Sequence, residues 1–137
     1  MSDILFVCVH NAGRSQMAAA LFNDLAAARR LPFTAASAGT EPGPAVHPVA
    51  VDAMRELDID ISRATPALLT DAMAQRARRV ITMGCAVDAH ACPALFLKNV
   101  VDWGLPDPKG KPIADVRLIR DDIRRRVHAL LDDLASH

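Results

Sequence analysis

The stretch Ile4–Phe22, ILFVCVHNAGRSQMAAALF, runs from apolar residues through a short polar loop into an alanine-rich segment. Ile4 to Val7 reads as a buried strand. Gln16 to Arg30 reads as a helix, because Met17, Leu21 and Leu25 recur every four residues. A cysteine, Cys8, closes the strand, and an arginine, Arg14, opens the helix six residues later, a C-x5-R spacing followed by Ser15. A short loop entering a helix turns several backbone N–H groups toward one point, where the helix terminus adds partial positive charge. Val9, His10, Asn11, Ala12, Gly13, Arg14 and Ser15 are therefore the candidate oxyanion cradle. The planar fork of Arg14 suits two oxygens of a tetrahedral anion. Cys8 is the candidate nucleophile beneath that anion, its thiolate favoured by the same donors and by the Ser15 hydroxyl. Asn11 and Gly13 are residue types that accept positive φ, which so tight a loop requires. Taken alone, C-x5-R is a weak pattern, equally satisfied by a buried cysteine and a surface arginine. The strand before it, the helix after it and the serine beside the arginine favour the cradle.

The rest of the chain continues the alternation. Phe33 to Ser37 is a second strand candidate, closed by Gly39 and the loop GTEPGPAVHP, and a helix from about Pro48 to Leu57 follows. DISRATPALLTDAMAQRA supplies one or two short helices before a third strand, Val80 to Met83, and Phe96 to Val101 is a fourth. From Pro112 to Leu134, Val116, Ile119, Ile123, Val127, Leu130, Leu131 and Leu134 step at threes and fours, the stripe of an amphipathic helix. Strands alternating with helices predict an α/β fold with a four-stranded parallel sheet flanked by helices on both faces, and one domain over residues 1–137. Such sheets bind ligands outside the carboxyl ends of their strands, where Cys8 lies.

Composition narrows the function. With 16 basic and 16 acidic residues the formal charge is +0, so no overall field draws nucleic acid or an anionic membrane, and an anion must be recognised locally. The opening apolar run is too short for a signal peptide or a membrane span, and a cytoplasmic location is expected. Three cysteines, an odd number, argue for reduced thiols rather than a disulfide framework.

Cys85 follows the third strand and so starts at the same sheet end as Cys8, and Cys92 comes seven residues later. On a helix their positions would be separated by about 10 Å of rise, whereas a disulfide needs Cα atoms within roughly 7 Å. The pair bonds only if the segment is a loop or unwinds. Two small apolar core residues and a redox pair are both open readings. Cys85, His90 and Cys92 as metal ligands number three at poor spacing for structural zinc, and no metal site is expected. His10, His47, His128 and His137 read as loop or surface residues. The loop VVDWGLPDPKGKP carries Asp102 and Asp107, and Asp107, held between two prolines, is the candidate acid for protonating a leaving oxygen.

Cys8 to Ser15 with Gln16-Met17-Ala18, SAGT at Ser37 to Thr40, C-x6-C-P from Cys85 to Pro93, and W-x3-D-P from Trp103 to Pro108 together resemble the thioredoxin-coupled arsenate reductases, which share the low-molecular-weight protein tyrosine phosphatase fold. The resemblance implies that Cys8 attacks arsenate, that Cys85 attacks Cys8 to release arsenite, and that Cys92 then takes Cys85 into a disulfide reduced by thioredoxin. It implies further that Arg14 and Ser15 bind the oxyanion, that Asp107 donates the proton, and that a monomer works without a cofactor, with phosphate or sulfate as substrate mimics. Similar proteins hold a potassium ion with an asparagine, a serine and two acidic side chains. Asn11 and Ser37 match, but Ala19 and Ala67 stand at the acidic positions. The alternatives are a low-molecular-weight tyrosine phosphatase using Cys8 and Asp107, a mycothiol-linked arsenate reductase, and a non-catalytic anion- or arsenite-binding regulator. Against the phosphatase, Gln16 stands where those enzymes carry proline, and the chain has no tyrosine to line an aryl cleft.

Overall fold

The structure is a computed structural model and describes residues 3–84 and 100–136. Its sheet has four parallel strands: β1 (Ile4–Cys8), β2 (Ala35–Gly39), β3 (Arg79–Thr82) and β4 (Val100–Asp102), in the order β2-β1-β3-β4. β1 is central because all five of its residues are buried, so both faces of the sheet must be covered. On one face Ile4, Phe6 and Cys8 pack against α1 (Arg14–Ala28), α2 (Pro48–Arg55) and α4 (Ile113–Ala135). On the other, Leu5, Val7 and Val80 meet Leu69 and Ala74, the latter on α3 (Asp71–Arg76). Every residue of the apolar stripe read on the last helix is buried.

The register lines up the carboxyl ends. Cys8 pairs with Gly39, Val7 with Thr82, and Thr82 with Asp102. The chain leaves β1 toward β2 on one side and later adds β3 on the other, so the loop after β1 sits at the point where the strand order reverses. That is where parallel α/β sheets open a crevice.

Among the boundaries that differ from the sequence reading, three bear on the site or on the described residues. α1 begins at Arg14, two residues early, because Gly13 ends the loop and its carbonyl already accepts from Met17 N at 2.9 Å. β2 lies two residues later than expected. Thr34 is tied to Asp3 at the strand entrance, where its amide donates to the Asp3 carboxylate and its carbonyl accepts from Asp3 N, so sheet pairing starts only at Ala35. β4 is described from Val100, and the earlier part of the expected strand lies outside the described residues. No helix among the described residues is long and apolar enough to cross a membrane.

Candidate active site

The loop from Val9 to Gly13 is shaped by where its carbonyls go. Val9 O accepts from Glu41 N, His10 O from Gly43 N, Ala12 O from His47 N, Asn11 O from the Gln16 side chain, and Gly13 O from Met17 N. In a planar trans peptide the following N–H points opposite to its carbonyl. The amides of His10 through Arg14 are thereby directed away from those carbonyl partners, and one of them, Asn11 N, donates to Cys8 Sγ at 3.1 Å.

Asn11 holds this shape. It is fully buried with φ 51, the left-handed conformation that asparagine tolerates. Its Nδ2 donates to Ser15 Oγ at 2.7 Å, and its Oδ1 accepts from Ala67 N at 2.9 Å and from Gln16 Nε2 at 3.1 Å. Because the Ser15 oxygen is an acceptor for Asn11, its hydroxyl proton is left for Cys8 Sγ, 2.9 Å away. Gly13 differs from expectation: its φ is −142, so the need for glycine there is space. A Cβ would stand 2.8 Å from Pro108 Cγ and 3.2 Å from His47 Cδ2.

Arg14, buried like the thiol, is anchored rather than loose. One nitrogen, Nη1, donates to Leu105 O at 2.7 Å and to Met83 O at 3.0 Å, while Nη2 lies 3.9 Å from Asp107 Oδ2. Asp107 is half-exposed, with its other oxygen accepting from Lys109 N at 3.0 Å. A cleft of about 160 Å³ is lined by Cys8, Val9, His10, Ala12, Gly13, Arg14, His47 and Asp107. The candidate nucleophile, anion clamp and acid thus share one opening at the sheet end. Cys85, His90 and Cys92 lie outside the described residues.

Asp102, the other loop carboxylate, has a different setting. Burial works to raise it, but hydrogen bonds from the Thr82 hydroxyl and from the Gly84 and Gly104 amides, with the Arg14 charge nearby, outweigh burial and hold it below the usual carboxylate range. It pins the turn at Gly84, where φ is 85. That turn directly follows Met83, one of the Arg14 acceptors.

Sequence reasoning missed two contributors. His47, read as a loop or surface residue, does end the loop before α2 but is also a half-buried wall of the cleft. Its place just ahead of Pro48, which starts α2 after a strand ending at the same sheet edge, was the available signal. Gln16, buried, braces Asn11 through both its backbone and its side chain, and a helix-surface glutamine gives no such hint.

A sequence profile described as low molecular weight phosphotyrosine protein phosphatase matches residues 3–137. The chain is 38% identical over 133 residues to a putative arsenate reductase of Halobacterium salinarum, covering 93% of this chain and 89% of that one. Among solved structures it resembles a thioredoxin-dependent arsenate reductase of Corynebacterium glutamicum, with TM-score 0.78 and 34% identity over 98% of this chain and 62% of that one. It also resembles an arginine phosphatase of Geobacillus stearothermophilus, with TM-score 0.83 and 26% identity over 97% and 92% of the two chains.

Proposed function

The chain belongs to the low molecular weight phosphotyrosine protein phosphatase family, and from that premise we propose that it reduces arsenate to arsenite in the cytoplasm, through Cys8, Cys85 and Cys92, with thioredoxin as reductant. The observation that carries the reading is the Cys8 sulfur within reach of the Asn11 amide and the Ser15 hydroxyl, in a cleft it shares with the anchored Arg14 guanidinium. Such a cradle takes a tetrahedral dianion and keeps the sulfur beneath it as thiolate.

In the proposed sequence the Cys8 thiolate attacks arsenic(V) and forms an S–As bond as one oxygen leaves with a proton from Asp107. Cys85 then attacks the Cys8 sulfur. An S–S bond forms, the S–As bond breaks with its electron pair staying on arsenic, and arsenite leaves. Cys92 displaces Cys8 from Cys85, and the dithiol of thioredoxin reduces the resulting disulfide. Arsenic gains two electrons, and thioredoxin supplies them.

The family description and the arginine phosphatase likeness favour hydrolysis of a phosphorylated substrate as a second reading, with Cys8 forming a phosphocysteine. Against an aryl ester, the cleft walls carry no phenyl or indole ring among the described residues. Thioredoxin-dependent NADPH consumption with arsenate separates the two readings. Cys8→Ser and Cys85→Ser are expected to be inactive, while Cys92→Ser releases arsenite once per enzyme without turning over. Normal turnover by Cys92→Ser would remove the relay. Inert arsenate with Cys8-dependent hydrolysis of p-nitrophenyl phosphate would establish the phosphatase.

A further inference from the structure

We propose that His47 is a specificity-determining residue of the oxyanion site, a second cation that binds the dianion from the cleft wall beside Gly13 when its ring is protonated. The inference rests on the cradle reading above.

Three observations place it there. The His47 ring lines the same cleft as Cys8 and Arg14, with Cδ2 only 3.2 Å from where a Gly13 Cβ would stand. Its backbone is fixed to the cradle, because His47 N donates to Ala12 O at 2.7 Å, and Pro48 begins α2 directly after it. The ring is also uncommitted. As the residue capping α2 it makes no side-chain cap bond, and among the described residues its ring nitrogens make no hydrogen bond. His10 has no such freedom, since its Nδ1 sits 3.0 Å from Glu41 O.

Histidine is the side chain that ordinarily changes charge between about pH 5 and pH 8. The charged and titratable groups facing His47 are Cys8, Arg14 and Asp107 in the cleft, and His10, Glu41 and Lys109 in the cavity that adjoins it. Of these, a thiol and a second histidine are the residue types that can also change charge in this range. A Cys8→Ser background removes the first, and His10→Asn controls for the second. Sulfate is the probe, because it stays a dianion throughout this range.

The test is calorimetric titration of sulfate into Cys8→Ser, Cys8→Ser/His47→Asn and Cys8→Ser/His10→Asn. In Cys8→Ser, sulfate is expected to bind about fivefold more tightly near pH 6 than near pH 8. His47→Asn abolishes that difference and leaves affinity near the high-pH value, whereas His10→Asn preserves it. Asparagine is a favoured N-cap residue, so α2 keeps its start, and equal melting temperatures for the three proteins verify this. A pH dependence that survives His47→Asn, or one lost with His10→Asn, overturns the proposal, as does its absence from Cys8→Ser. Sulfate binding at neither pH would instead bring down the cradle reading and the proposal with it. Intact, His47-dependent sulfate binding in a protein that does not reduce arsenate would refute the function alone.

Discussion

Replacing Asn11 tests the construction of the loop most directly. Asn11→Ala removes the hydrogen bonds to Ser15 Oγ, from Ala67 N and from Gln16 Nε2, each worth about 1 kcal/mol net. It also leaves alanine at φ 51, which costs about 1 kcal/mol more. The sum is about 4 kcal/mol. For a chain of 137 residues, at roughly 3–5 °C per kcal/mol, the melting temperature is expected to fall by about 15 °C. Asn11→Gly loses the same hydrogen bonds without the backbone penalty, so it should be about 1 kcal/mol more stable than Asn11→Ala. Urea unfolding followed by circular dichroism measures both. Equal stability of the two variants would refute the left-handed conformation at Asn11, and an Asn11→Ala protein as stable as wild type would refute its role as the hub of the loop.

Two further substitutions act elsewhere. In Gly39→Ala the new Cβ would stand 2.4 Å from Val9 O and 3.0 Å from Asn11 N, both backbone atoms of the cradle. The loop must retreat, at a cost of about 1–3 kcal/mol in stability and a loss of anion affinity of roughly tenfold or more by sulfate titration. Gly43→Ala, whose Cβ meets nothing closer than 3.8 Å, is the control and should stay within about 0.5 kcal/mol of wild type. Glu56, at the end of α2, is held down to about 2 by hydrogen bonds from Arg117 and Arg120 of α4, and by their charges. Its folded value is depressed, so the unfolded chain binds more protons between about pH 4.5 and 2, and stability falls as pH drops through that window. Melting temperatures of wild type and Glu56→Gln should therefore converge as pH falls from about 5 to 2.5, and more weakly in high salt. Parallel curves would remove the clamp.

What was legible from sequence followed from one-dimensional patterns with a single physical cause. The stripe from Val116 to Leu134 could be read because one face of a long helix must be apolar, and the strand–loop–helix at Cys8 because a continuous apolar run there gives way to a four-residue repeat. Contacts distant in sequence were not legible. Phe33 and Thr34 have higher strand propensity than the alanines after them, but pairing with β1 selects Ala35–Gly39. Gly13 was read as a dihedral requirement when Pro108, ninety-five positions away, is what excludes a side chain. The anchoring of Arg14 by two carbonyls, and the place of His47 in the cleft wall, come from packing between loops that no spacing encodes.

Arg14 also holds parts of the fold together. Through Met83 O and Leu105 O it ties the segments that leave β3 and β4 to the first turn of α1. Any ligand that fixes the guanidinium therefore also favours the arrangement in which those two carbonyls are docked, and by linkage a docked outer sheet favours the ligand to the same extent. Local opening of β4, a three-residue strand with every residue exposed, then draws on the binding free energy of a site it does not touch. Occupancy of the cleft and cohesion of the sheet edge form a single thermodynamic coordinate.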